Sequence, residues 1–159
     1  MADGVPREQV YATLKTQAGV DRAFKKLDTI KKEVVWWEAG AQPPQLLASG
    51  EVVMTTSWNG RIYDAAKKDG KNFKIVWDGQ VPDYDFWVIP KGAKNIEDSY
   101  KYISYGPTNA DAIPKIAPAV LADLPTAPQN AKTELVQDYY FWGDHGEELR
   151  KRFNTWLAQ

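Results

Sequence analysis

The sequence predicts an α/β fold with a mainly parallel sheet, and three observations carry that expectation. Short apolar runs alternate with helix-periodic segments through residues 1–95. One run, Val52-Val53-Met54-Thr55-Thr56, empties into the turn Ser57-Trp58-Asn59-Gly60-Arg61 and then into a helical stretch, Ile62 to Lys68. Residues 110–159 contain short helical pieces broken by prolines and then two longer amphipathic patterns. In open α/β folds ligands sit at the carboxyl edge of the sheet, where a strand gives way to a turn and a helix.

The elements follow in order. Pro6 to Lys15 reads as a short helix with proline in its first turn. Asp21 to Lys32 sets Ala23, Phe24, Leu27 and Ile30 at helical spacing. Val34-Val35-Trp36-Trp37 is a continuous apolar run, as in a buried strand. The turn Glu38 to Gln42 precedes a helix from Pro43 to Ala48. After the Val52 strand and the Ile62 helix come a turn at Asp69–Asn72, a strand at Phe73–Trp77, a turn at Asp78–Gln80 and a strand at Tyr84–Ile89. Ile96 to Ile103 reads as a helix and Ser104 to Asn109 as a loop. Ala110 to Ile116 and Pro118 to Leu124 are short helices, and Pro125 to Asn130 is a loop. Thr133 to Trp142 and Gly146 to Ala158 read as two helices packing on the sheet. The expected organisation is one lobe over 1–159: strand–helix alternation in 1–95, a reconnection in 96–109 and helices in 110–159.

Composition bounds the chemistry. A chain of 159 residues suits one domain with a sizeable core. A net charge of −1 gives no basic field for nucleic acid or an anionic membrane. No run reaches membrane-spanning length, so no membrane insertion is expected. With no cysteine there is no disulfide, thiolate metal site or cysteine nucleophile. The one histidine, His145, lies in Gly143-Asp144-His145-Gly146 and reads as a cap or joint between helices. Met1-Ala2-Asp3-Gly4 lacks the basic and apolar regions of a signal peptide, so a cytoplasmic location is expected for the chain as it stands. The aromatic count is high, with seven Trp and eight Tyr. Trp36, Trp37, Trp77 and Trp87 fall in strand patterns and are expected in the core. Trp58 stands in a turn instead.

The Trp58 turn offers recognition and no nucleophile. It combines a flat ring, the Asn59 amide and the Arg61 guanidinium, a planar fork suited to a carboxylate. The alternatives are a rim aromatic covering the sheet edge for Trp58, and a bridge to Asp64 or Asp85 for Arg61. Asp85 lies inside the apolar run Tyr84-Asp85-Phe86-Trp87-Val88-Ile89 and would need a partner if buried; a solvated or capping acid is the other option. Asp83, two residues earlier, would share its face on an extended strand. Glu38 and Gln42 follow the first strand and are candidates either to line a cleft or to sit as exposed turn residues.

Three ordered blocks resemble a known family. VVWWEAGAQPPQLLASGEVVMTTSWNGRIYDA, then YDFWVIPKGAKN, then YISYGPTNADAI, is similar to the carboxyl-terminal half of bacterial periplasmic solute-binding proteins of ABC importers, the spermidine/putrescine-binding branch above all. The resemblance implies a three-layer α/β/α lobe of the type II periplasmic binding-protein fold. It also implies a ligand held between two lobes, a periplasmic site of action, an ABC permease as partner, no cofactor, no metal and no catalysis. By that resemblance the chain is expected to supply the second lobe, without the N-terminal lobe that precedes it in the family. SYKYI runs into SYGPTN a dozen or more residues early for the family, so an excised, reconnected lobe is expected, impaired in binding and prone to homodimerise through its exposed aromatics.

The family assigns roles to several residues. Trp58 matches an aromatic that sandwiches the ligand, Asp85 an ammonium-binding carboxylate, and Tyr105 an aromatic contact from the loop. Arg61 departs from the pattern, because polyamine binders tend to carry an acid near it. Arginine there repels an ammonium and attracts a carboxylate, so Arg61 with Asp85 suits a zwitterion of the γ-aminobutyrate type better than a polyamine. Two other classes compete. A hydrolase lacks a G-x-S-x-G elbow here, and a nucleotide enzyme lacks G-x-G-x-x-G or a P-loop. A flavodoxin-like protein stacking a flavin on Trp58 and Tyr84 fits by geometry, and an engineered folding module with no function of its own fits an excised lobe.

Overall fold

A computed structural model describes residues 1–104 and 114–159. The chain divides into two compact units, Met1–Val76 with Gln137–Gln159, and Trp77–Val136.

The first unit is built by helices whose ends are chemically set. α1 (Val10–Leu14) is followed by α2 (Gln17–Asp28). Thr16 caps α2: its hydroxyl accepts the Gly19 N–H at 3.0 Å, one of the orphan donors of a helix start. Val20 and Phe24 share the face of α2 that turns inward, one turn apart. α3 (Gln42–Ser49) has prolines in its first turn, where no N–H is needed, and ends at Gly50 with φ 76°. α4 (Asn59–Lys67) buries Ile62 and Ala65 and packs against α3.

α7 (Tyr139–Leu157) is longer than the sequence suggests, because the expected break at Gly143–Gly146 does not occur. Asp138 caps it by accepting the Phe141 N–H at 2.9 Å. The Phe141 ring is 1 % exposed, and the His145 ring lies on it at 4.9 Å, one turn further along. His145 is thus an interior position of one helix and neither caps nor joins two. Two glycines cost a helix roughly 1 kcal/mol each relative to alanine; the burial of Phe141, with its tilted contact to the His145 ring, offsets that. The expected helix over Thr133–Trp142 is correspondingly replaced by a 3₁₀ turn at Ala131–Thr133, an irregular stretch, and the start of α7.

The second unit holds α5 (Ile96–Ser104), α6 (Pro118–Ala122) and the Ala131–Thr133 turn. Its centre is polar. The Gln80 side-chain amide donates to the carbonyls of Pro125 and Asn130, both at 3.0 Å. The buried Asn130 amide donates to Ala122 and Leu124, at 2.9 and 2.7 Å. Gly79 N–H donates to the Thr133 hydroxyl, and Leu135 N–H to the Gln80 carbonyl. These bonds tie the 78–80 turn to the 122–135 segment.

The expected sheet is not formed among the described residues. The runs at 34–37, 52–56, 73–77 and 84–89 carry no strand ladder. Val53 is 98 % exposed and Phe86 79 %. A strand needs a neighbour about 4.8 Å away to take its N–H and C=O groups; β-branched composition records a preference for that setting and does not supply the neighbour. For the same reason Trp87, expected in the core, is 60 % exposed, with a T-shaped contact to Tyr102 at 5.3 Å. Trp36 does join a core, edge-on to Phe153 and Trp156 at 5.7 and 5.5 Å. Trp37 and Trp77 are half-buried. Among the described residues, no helix is long and apolar enough to cross a membrane, and no group of three His, Cys, Asp or Glu could hold a metal ion.

Candidate functional site

Five of the residues singled out in the sequence, Glu38, Gln42, Trp58, Asn59 and Arg61, lie at the starting ends of α3 and α4, in the first unit. Trp58 is the residue before α4, with φ −67° and ψ 129°. Its ring makes a T-shaped contact with Trp37 at 6.0 Å and 82° and lies so close to Gly40 that a Cβ there would collide with the ring. The ring is nevertheless 60 % exposed. Asn59 and Gly60 open α4, and their N–H groups have no acceptor within the helix. Arg61 N–H bonds to the Trp58 carbonyl at 3.0 Å, which holds the first turn closed.

The Arg61 side chain is exposed and makes no ion pair among the described residues. Asp64, a bridging partner the sequence offers, is taken by Lys68 at 2.9 Å, and that hydrogen bond, with the charge of Asp64, raises the Lys68 ammonium above its ordinary value. The sum at this end is a cation, two orphan N–H groups and the positive end of a helix dipole, beside an open indole face. Each favours an anion, and the dipole contributes about 0.3–1 kcal/mol at an exposed position.

Glu38 and Gln42 differ in what they do. Gln42 Oε1 accepts both the Glu38 and Ala39 N–H groups, at 2.8 and 2.7 Å. That carbonyl builds the turn and is not available to a ligand. The Glu38 carboxylate stays exposed two residues before Gly40.

In the second unit, Asp83, Tyr84 and Asp85 are consecutive and exposed. Asp83 Oδ1 accepts the N–H of Tyr84 at 3.0 Å, so this carboxylate turns onto its own backbone and does not simply share a strand face with Asp85. Asp85 is in water and needs no buried partner, contrary to the expectation for an acid in an apolar strand; without the strand, the burial does not arise. Tyr105 lies outside the described residues.

Gly40 and Trp37, which seat the Trp58 ring, were not singled out in the sequence. A glycine between two alanines ahead of a proline pair is a faint signal, and only the contact across the chain gives it meaning.

Known proteins resemble this chain along nearly its whole length. A family model described as bacterial extracellular solute-binding protein matches residues 1–140. The gamma-aminobutyric acid-binding protein of Pseudomonas aeruginosa is 43 % identical over 175 residues, covering 100 % of this chain and 49 % of that protein. Among solved structures, the Atu4243–GABA receptor superposes with a TM-score of 0.77 at 31 % identity, over 99 % of this chain and 52 % of the other. The PBP AgtB from A. tumefaciens R10, in complex with agropinic acid, gives 0.79 at 30 % identity, over 99 % and 53 %. The chain spans about half the length of each.

Proposed function

The chain belongs to the bacterial extracellular solute-binding proteins, and from that premise we propose that it captures a small ω-amino acid of the γ-aminobutyrate type for an ABC importer. One observation carries the proposal: Arg61 is exposed, makes no ion pair among the described residues, and stands in the first turn of α4, three residues after the largely exposed Trp58. A carboxylate finds the guanidinium fork and the orphan N–H groups there, and the indole covers the alkyl chain. An ammonium at that spot meets a like charge, so a diamine is disfavoured. The relatives named for gamma-aminobutyric acid support the choice. For the amine of the ligand, Glu38 is the acid nearest in sequence to the seat of Trp58, and Asp85 is proposed from the sequence resemblance.

The reading is of a binding protein, not an enzyme: the Trp58 turn offers contacts and no nucleophile. The second lobe and the ABC permease are the proposed partners, and the mainly parallel sheet of a type II lobe is the proposed architecture of the whole. With about half the length of its relatives, the chain supplies about half the contacts. Association still costs roughly 4–15 kcal/mol, so a dissociation constant near millimolar, about −4 kcal/mol, is expected. Self-association through the exposed Trp58 is proposed too; light scattering should show it at high concentration, and Trp58→Ser should abolish it.

Calorimetry with γ-aminobutyrate, putrescine and spermidine tests the ligand class. Weak binding of γ-aminobutyrate alone is expected. Tight binding of a polyamine would refute the charge argument.

A further inference from the structure

We propose that Gly40 is a positioning residue that sets the plane of the Trp58 indole, and through it the ligand specificity of the site. The inference rests on the capture reading above for its ligand half only. The geometry is confined to one unit. The Trp58 ring occupies the space a side chain at residue 40 would need: ring atoms Cζ3 and Cε3 fall inside van der Waals contact of a Cβ built there, and Cη2 lies at 3.0 Å. No residue but glycine leaves room for the ring where it stands.

The seat itself is held rigidly. Gln42 Oε1 clamps the N–H groups of Glu38 and Ala39, and Gln42 N–H bonds back to the Ala39 carbonyl at 2.9 Å. Gly40 sits buried inside this clamped turn. Trp37 adds a T-shaped contact with the indole at 6.0 Å. An indole seated in this way has less rotamer freedom than a free side chain, and Trp58 stays 60 % exposed, three residues before Arg61. Such confinement lets a ligand find the ring already placed, so that less ordering is needed on binding.

The test uses the full chain labelled with 5-fluorotryptophan and read by ¹⁹F NMR, with the Trp58 resonance assigned by its loss in Trp58→Phe. In Gly40→Ala the Trp58 resonance should move while those of Trp36 and Trp156 stay. The affinity for γ-aminobutyrate should fall by about tenfold, as for loss of one ring contact. An unmoved Trp58 resonance, or a moved one with affinity unchanged, overturns the proposal. If the wild-type chain does not bind γ-aminobutyrate at all, the capture reading fails, and the resonance still decides whether Gly40 places the ring. If Gly40→Ala fails to fold, Gly40→Ala with Trp58→Leu decides: recovery of the wild-type melting temperature shows the clash is with the indole, and continued failure to fold contradicts it.

Discussion

In the unit formed by Met1–Val76 and Gln137–Gln159, rings meet rings. Phe24 and Trp36 stand edge-on to Trp156, Phe153 lies beside it, and Tyr11 and His145 flank the buried Phe141. In the unit Trp77–Val136, amides meet carbonyls: Gln80 and Asn130 spend their side chains on four backbone oxygens, while Phe86, Trp87 and Val88 stay in contact with water. The first arrangement is stabilised by the area each ring removes from water. The second draws on hydrogen bonds worth about 1 kcal/mol net each, with a heavier penalty if one is left unmade. An apolar composition therefore does not say which kind of centre a segment will have.

The sharpest way to break the contrast is Phe141→Ala. A fully buried phenylalanine truncated to alanine costs about 3–5 kcal/mol, so the urea midpoint should fall steeply. A loss below about 1 kcal/mol would mean that the ring cluster does not hold this unit together. Asn130→Ala comes next. It removes two hydrogen bonds, to the Ala122 and Leu124 carbonyls, which keep donors in the Gln129 side-chain amide and the Ala127 N–H, for about 1–3 kcal/mol at roughly 0.5–1.5 kcal/mol net per bond. Amide exchange should rise at Leu135, whose N–H bonds to Gln80, and not at α7; faster exchange in α7 would deny that the effect is local.

Trp87→Ser should cost less than either. The ring is largely exposed, and its aromatic contact with Tyr102 is worth about 0.5–1.5 kcal/mol. A larger loss would show that the second unit has an apolar centre after all. The smallest effect expected concerns pH. The hydrogen bond from Arg152, at 2.5 Å, and that from Gln17 hold the Asp21 carboxyl below its ordinary 3.8. A lowered folded value means that the stabilisation is present above pH 3.8 and lost as pH falls through the folded value. The stability difference between wild type and Asp21→Asn should therefore be constant above about pH 5 and shrink progressively as pH falls through 3.8 towards the folded value. A difference that instead grew on acidification would contradict the assignment.

These elements show what the sequence discloses. The Asp21–Lys32 periodicity and the Pro43–Pro44 start yielded α2 and α3 with ends shifted by a few residues, because spacing and caps are local. The Gly143–Gly146 break was misread because glycine propensity is local too, whereas the Phe141–His145 contact that overrides it belongs to the folded helix. The strand patterns form no ladder among the described residues for a related cause: pairing is not a property of one segment. At the site, Trp58, Asn59 and Arg61 could be read from residue types and order. Gly40 could not, since its role exists only where another part of the chain lies on it.

The central claim is that Arg61 selects a carboxylate. A titration of wild type and Arg61→Ala with γ-aminobutyrate and with putrescine tests it most directly, followed by tryptophan fluorescence and corrected with Trp58→Phe. The account predicts millimolar binding of γ-aminobutyrate, lost in Arg61→Ala, and no response to putrescine in the wild type. Submicromolar putrescine binding that survives Arg61→Ala would contradict it.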